Sequence, residues 1–193
     1  MEQEAIPELL TKLRIRLHLV GPSLQNTVSI LELVGVERAL SAVHDWVHKA
    51  NLQPEDGRSP GHVAVGETVI QLTGQRYWLY ATVDPKTNEL HHTELESTTT
   101  TVLAPSFLAT VREKHDVDDA LFLVNGAPSL QTACSRHGLD FRHKKRGNRN
   151  GAERVFLGIK RRTSSFSNSF SHIEAETPDD WLGSLAFAWN QLI

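Results

Sequence analysis

Val63-Ala64-Val65-Gly66-Glu67-Thr68-Val69-Ile70-Gln71-Leu72 is the stretch whose reading decides the fold. Its β-branched content predicts a strand. Thr73-Gly74-Gln75 reads as a turn and Tyr77-Trp78-Leu79-Tyr80-Ala81-Thr82-Val83 as a second strand. Asp84-Pro85-Lys86-Thr87-Asn88 is a second turn, and Glu89 to Glu96 alternates as a third strand. Three strands joined this closely form an antiparallel meander. Helical spacing runs from about Val102 to Lys114, with Pro105 suited to the first turn. Ala120-Leu121-Phe122-Leu123-Val124 is short and wholly apolar, as expected of a strand covered on both faces. Ser129 to His137 reads as a helix closed by Gly138, and Leu139 to His143 as a last strand. A helix from Asn150 to about Arg162, a Ser-rich loop and a final amphipathic helix from Asp179 to Ile193 complete the order βββ-α-β-α-β-α-α. That order predicts a mixed α/β, or α+β, domain: five strands in one sheet with flanking helices. Trp78 and Tyr80 read as core residues on a strand, and Cys134 as a helix-packing residue with nothing beside it to activate the thiol.

Upstream the period changes. Residues 51–62 are rich in Pro, Gly and polar residues, a linker composition between a region at 1–50 and a domain at 63–193. Ile6, Leu9, Leu10, Leu13 and Leu17 recur at helical spacing, and Gly21-Pro22 stops that helix. Ser23 caps a second one bearing Leu24, Val28 and Leu31 on one face. Leu33-Val34-Gly35-Val36 is a short turn before a helix from Glu37 to Lys49. Two helices joined by a tight Gly-containing turn predict a helix-turn-helix, with Arg38, Ser41, Ala42, Asp45 and Lys49 on the free face of its second helix. A plain three-helix bundle without DNA contact fits the same pattern. His44-Asp45-Trp46-Val47-His48 places two imidazoles on one helix face, a zinc-hydrolase spacing, but Asp stands where Glu is wanted and no third ligand is near. His91 and His92 are expected on opposite faces of their strand.

Composition narrows the class. The 193 residues suffice for one domain and a small appendage. With 39% hydrophobic and 22% charged residues, disorder throughout is excluded. The longest apolar runs are only a few residues, so no membrane span is expected. The acidic start Met1-Glu2-Gln3-Glu4 lacks the order of a secretory signal. A single cysteine rules out an internal disulfide framework and a multi-cysteine zinc module. These features predict a soluble cytoplasmic protein. The net charge of −3 conceals an uneven distribution: residues 140–163 hold nine of the twenty Lys and Arg against two acids. So local an excess predicts an anionic partner, although a solvated charged face has the same composition.

The stronger signal joins three places: Val65-Gly66-Glu67-Thr68-Val69-Ile70, then Phe122-Leu123-Val124-Asn125-Gly126, then Gly147-Asn148-Arg149-Asn150-Gly151-Ala152-Glu153-Arg154-Val155-Phe156 with Lys160-Arg161-Arg162 beyond. In these motifs, and over almost the whole chain to Trp189-Asn190, the sequence resembles the short transposases of insertion-sequence family six, of the type found in halophilic archaea. The resemblance implies a helix-turn-helix followed by a ribonuclease H-like DDE domain, an integrase-type architecture. It implies strand cleavage and transfer on double-stranded DNA, both element ends and target, by a homo-oligomer at the nucleoid. It also implies two Mg²⁺ ions, one on the attacking oxygen and one on the leaving oxygen.

Residue by residue, the match is incomplete. Gly66 stands at the first acid, Asn125 at the second, and Glu153 at the third, with Lys160 two helical turns beyond. Hard cations need oxygen ligands and countercharge. Three carboxylates would give the cage −3, whereas Glu153 with a neutral Asn125 carbonyl gives −1. Weak or absent Mg²⁺ binding is therefore expected, with Glu153 and Asn125 as the remaining metal ligands. Glu67 cannot replace the lost acid, because neighbouring strand residues face opposite ways. The expectation is a transposase fold and DNA surface with impaired catalysis; a non-enzymatic DNA-binding protein derived from a transposase is the alternative. Lys144, Lys145, Arg146, Arg149, Arg154, Lys160 and Arg161 are the expected phosphate contacts, beside Arg38 and Lys49. Gly151, Gly158 and Gly183 fall in predicted helices, each costing up to about 1 kcal/mol relative to Ala. An aspartate at position 66 is expected to be accepted if that side chain faces the cleft.

Overall fold

The computed structural model describes residues 29–30, 32–33, 52–72, 75–97, 102–124, 126–143, 153–160 and 176–191. The expected helix-turn-helix, with Arg38, His44, His48 and Lys49, lies outside these residues. Of the N-terminal region only Ser29, Ile30, Glu32 and Leu33 are described, all helical. Leu33, expected in a turn, thus belongs to a helix.

Five strands form one sheet: β1 (His62–Leu72), β2 (Gln75–Val83), β3 (Leu90–Glu96), β4 (Leu121–Val124) and β5 (Phe141–His143). Their spatial order is β3-β2-β1-β4-β5. The meander pairs antiparallel, and β1–β4 and β4–β5 pair parallel. The parallel pairings need crossovers, supplied by α1 (Leu103–Lys114) and α2 (Pro128–Arg136). Two further helices follow, α3 at residues 153–160 and α4 (Glu176–Asn190).

Alternation along β1 divides the core. Val63 and Val65 pack with Phe107, Leu108, Val111, Leu130 and Cys134 of α1 and α2. Ala64 and Ile70 pack with Val155, Phe156 and Ile159 of α3 and Leu182, Leu185 and Ala186 of α4. The sheet is therefore a middle layer between two helical layers. Phe122, Leu123 and Val124 are fully buried, as both-faced cover requires. Tyr80 is buried against Phe107, and Trp78 packs on the same cluster. Cys134 is buried, which pushes its thiol up to about 11 and leaves it a packing residue.

One expectation about β3 is overturned. His91 and His92 do not fall on opposite faces. The β2–β3 register slips between Thr82 and Val83, which face His92 and Leu90, and His91 is the extra residue. A bulge interrupts the two-residue alternation. His91 then sits 5.3 Å, ring to ring, from His115 just past α1, while His92 stacks on Phe107 within α1 at 5.4 Å.

The segment read as a linker carries no helix or strand from Leu52 to Pro60, yet it is tied down. Gly57 N–H donates to the Lys114 carbonyl and Asp116 N–H to the Arg58 carbonyl. Arg58 N–H donates to His115 Nδ1, and the Arg58 guanidinium lies 2.6 Å from Glu89. Leu52 packs on the core. A chain so anchored enters β1 from a fixed direction.

Candidate functional site

Of the site predicted from sequence, Gly66 faces the α3 side of the sheet, and Glu153 and Lys160 lie on α3. Gly66 is buried in mid-β1, opposite Ala81 of β2. β4 ends at Val124, which pairs with both Val65 and His143. The parallel strands thus deliver their C-terminal ends beside Gly66, the edge where open α/β sheets carry ligand chemistry. Asn125, the expected second ligand, follows Val124 but lies outside the described residues.

Glu153 and Lys160 are both exposed on α3. Phe156 is three residues beyond Glu153, hence on the same helical face one turn inward. A Cβ added to Gly66 would meet Phe156 Cε2 at 2.5 Å and Cζ at 3.0 Å. The condition set for accepting an aspartate at position 66, a side chain facing the cleft, is not met: that position faces a filled contact. Glu67 turns the other way, as alternation requires. It accepts a hydrogen bond from Ser129 Oγ of α2 at 3.4 Å, and with burial it pushes the Tyr80 phenol upward. Glu67 is therefore separated from Glu153 by the sheet.

The helical glycines are also explained by contact. A Cβ on Gly158 would meet Trp189 Cζ3 at 2.9 Å, and one on Gly183 would overlap Gln53. Gly158 lets α3 and α4 approach closely, whereas the contact at Gly183 is with the end of a flexible, exposed side chain. Beside the propensity cost expected of a helical glycine, Gly158 thus has a packing reason; Gly151 lies outside the described residues.

Around this centre, Arg142 and His143 are exposed on β5, the edge strand. His143 Nε2 is 3.4 Å from where a Cβ would stand on Gly126. His143 is a neighbour that sequence reasoning missed, because only the parallel β4–β5 pairing brings it to the end of β4. Arg154, expected on phosphate, donates from Nη2 to Asn88 Oδ1 at 3.2 Å and so ties α3 to the β2–β3 turn. Lys144, Lys145, Arg146, Arg149 and Arg161 lie outside the described residues. A surface cavity of ≈ 540 Å³ lined by Gly61, His62, Asp84, Pro85 and Lys86 lies at the far, N-terminal end of β1 and holds none of the expected site residues.

The described residues do not fit a two-ion cage. Gly66 supplies no donor, an aromatic ring lies against it, and Glu67 faces the opposite layer. Among the described residues no group of three His, Cys, Asp or Glu is placed to hold a metal ion. No helix among them is long and apolar enough to cross a membrane.

The strand order, the two parallel crossovers and the helix facing mid-β1 together define a mixed five-stranded ribonuclease H-like fold of integrase type. Solved structures agree. The catalytic core domain of HTLV-2 integrase in complex with magnesium, in a dimeric form, superposes with a TM-score of 0.51 at 16% identity, covering 71% of this chain and 91% of that one. The trimeric form of the same core gives 0.50 at 16% identity, covering 71% and 90%. No protein-family model and no curated protein matches the chain.

Proposed function

We propose that this protein is an insertion-sequence transposase of the family-six type whose own strand-transfer chemistry is impaired. On this reading it binds double-stranded DNA at element ends and target, as a homo-oligomer, at the nucleoid. The observation that carries it is the coincidence of an integrase-type fold with a motif-matched glutamate, Glu153, on the helix that faces mid-β1 at Gly66. A sheet of this order and a basic block within 140–163 suit a protein whose ligand is a phosphate backbone. The likeness to integrase cores that carry magnesium and occur as dimers and trimers is in keeping with this.

Within the proposal each residue has a role. Glu153 is the remaining carboxylate of the original three. Lys160, two turns along α3 on the same face, holds a phosphate next to it. Arg142 extends the cationic surface along the β5 edge, with the 144–149 run continuing it and His143 beside it. The helix-turn-helix, with Arg38 and Lys49, reads the element end. Family strand transfer needs two cations held about 4 Å apart, and the described residues give no such cage.

The test is a two-part assay with a pre-cut element end. Salt-sensitive binding without Mg²⁺-dependent joining to plasmid DNA is the expected result. Rapid joining by the unmodified protein would overturn the impairment. Absence of any salt-sensitive duplex binding would overturn the transposase reading itself.

A further inference from the structure

Loss of charge explains why Gly66 cannot bind a cation. It does not explain what stands in the vacated place. Carbon atoms in contact settle at about 3.5–4.0 Å. At 2.5 Å from a Cβ on residue 66, Phe156 Cε2 lies inside the volume where the first atom of an aspartate side chain would begin. The ring is 9% exposed and shares a cluster with Ala64, Ile70, Val155, Ile159, Leu182 and Leu185. It cannot swing inward without displacing these.

The helix that carries the ring is also held. Gly158 brings α3 against Trp189. Trp189 Nε1–H donates to the Asn88 carbonyl at 3.0 Å, and Arg154 donates to the Asn88 side chain. Two anchors on one turn fix α3 above β1 at the depth that seats Phe156 on Gly66. The absence of a Cβ at position 66 is what permits that depth.

We propose that Phe156 is a plug: its ring occupies the first ligand's place, so that the metal site is sealed by packing as well as stripped of charge. This rests on the reading above only in taking position 66 as a ligand position. The consequence is specific. Restoring acids at 66 and 125 is not enough, because a carboxylate at 66 would meet an aromatic ring in an apolar layer. The cage reopens only when residue 156 is also made small.

The experiment compares Mn²⁺ binding, by calorimetry with the metal alone, in three full-length proteins. These are the unmodified chain, Gly66→Asp with Asn125→Asp, and that pair combined with Phe156→Ala. Mn²⁺ is expected to bind the triple variant at least tenfold more tightly than the double. Equal affinity of the two variants would overturn the plug, and so would a folded triple variant that binds no Mn²⁺. If the triple variant does not fold, a melting cycle decides instead. Gly66→Ala is expected to lower Tm by about 5 °C or more in the unmodified chain and by much less in a Phe156→Leu background. Equal losses in the two backgrounds would overturn the contact. DNA binding by the unmodified protein is measured in parallel. Its failure counts against the transposase reading and leaves the metal comparison standing.

Discussion

His91 and His115 show how one residue's surroundings set a property of the whole domain. His115 Nδ1 accepts from Arg58 N–H, and its Nε2–H donates to the His91 carbonyl. Only the neutral Nε2–H tautomer serves both bonds, since a proton on Nδ1 would face another N–H. Burial pushes His91 down to about 4, aided by the neighbouring His115 and Arg58 and opposed by Asp84. His115 is lowered as well, mainly by burial; its bond to the His91 carbonyl and Asp56 act against this, and His92 and Lys114 act in the same direction. The unfolded chain binds its proton at pH about 6.5 and the folded chain only near 4. Stability from His91 is thus complete above about 6.5 and is lost as pH falls through that window. Urea titrations are expected to lose roughly 2 kcal/mol between pH 7 and pH 5 from this residue. His91→Phe, which removes the titrating group and the unpartnered Nδ1, should remove most of that slope. An unchanged slope in the variant would place the sensitivity elsewhere. None of this was visible in the strand pattern, because alternation puts His91 on the wrong face and only the slip at Thr82 and Val83 corrects it.

At the scale of elements, two helices are held by contacts that helix propensity would not suggest. Replacing a helical glycine by alanine in an open helix gains about 1 kcal/mol. At Gly158 the added methyl meets Trp189 at 2.9 Å, and that indole is fixed by its bond to Asn88. Overpacking against a fixed partner costs about 1–3 kcal/mol, so the clash outweighs the propensity. Gly158→Ala is therefore expected to lower stability by roughly 1 kcal/mol in chemical denaturation; a gain would mean that α3 and α4 can move apart. At the C-terminal end of α4, next to Trp189, Asn190 accepts from Leu90 N–H and donates to the Leu90 carbonyl, each at 2.7 Å. A single side chain pairs with the start of β3 as a further strand would, on the outer edge of the sheet. Asn190→Ala leaves both backbone groups unpaired and should cost about 2–3 kcal/mol, and faster amide exchange at Leu90 would report it. Element types and order were legible because strand and helix periods are local. The depth of α3 on β1 was not, since it is set by glycines that meet residues far away in sequence.

For the whole molecule, the sheet order follows from a few local readings. A meander must pair antiparallel, and a both-faced apolar strand reached through a helix must pair parallel to its neighbour. The proposed site falls in mid-β1 beside the C-terminal end of β4, where Val124 pairs with Val65. Its state was only half legible. Gly66 and Asn125 stand in the sequence, whereas the ring over Gly66 is a tertiary contact between β1 and α3. Charge is the remaining property of this scale. The chain is acidic overall at −3, yet nine Lys and Arg fall within residues 140–163, a span that leaves β5 and enters α3. Any attraction to DNA is then local, and its signature is salt dependence. Each phosphate neutralised on B-form DNA contributes about −0.9 to the slope of log affinity against log salt. Replacing Lys144, Lys145 and Arg146 together with Ala is expected to flatten that slope by roughly 2–3 units. Affinity should fall alike for all duplexes, because phosphate contacts carry no base sequence. Thermal stability is expected to stay close to that of the unmodified protein, which separates a lost contact from a lost fold. Filter binding at several salt concentrations, on an element end and on an unrelated duplex of equal length, gives both slopes. If the slope stays unchanged in the triple variant, the phosphate footprint lies elsewhere; if only the element end is weakened, these residues read sequence instead.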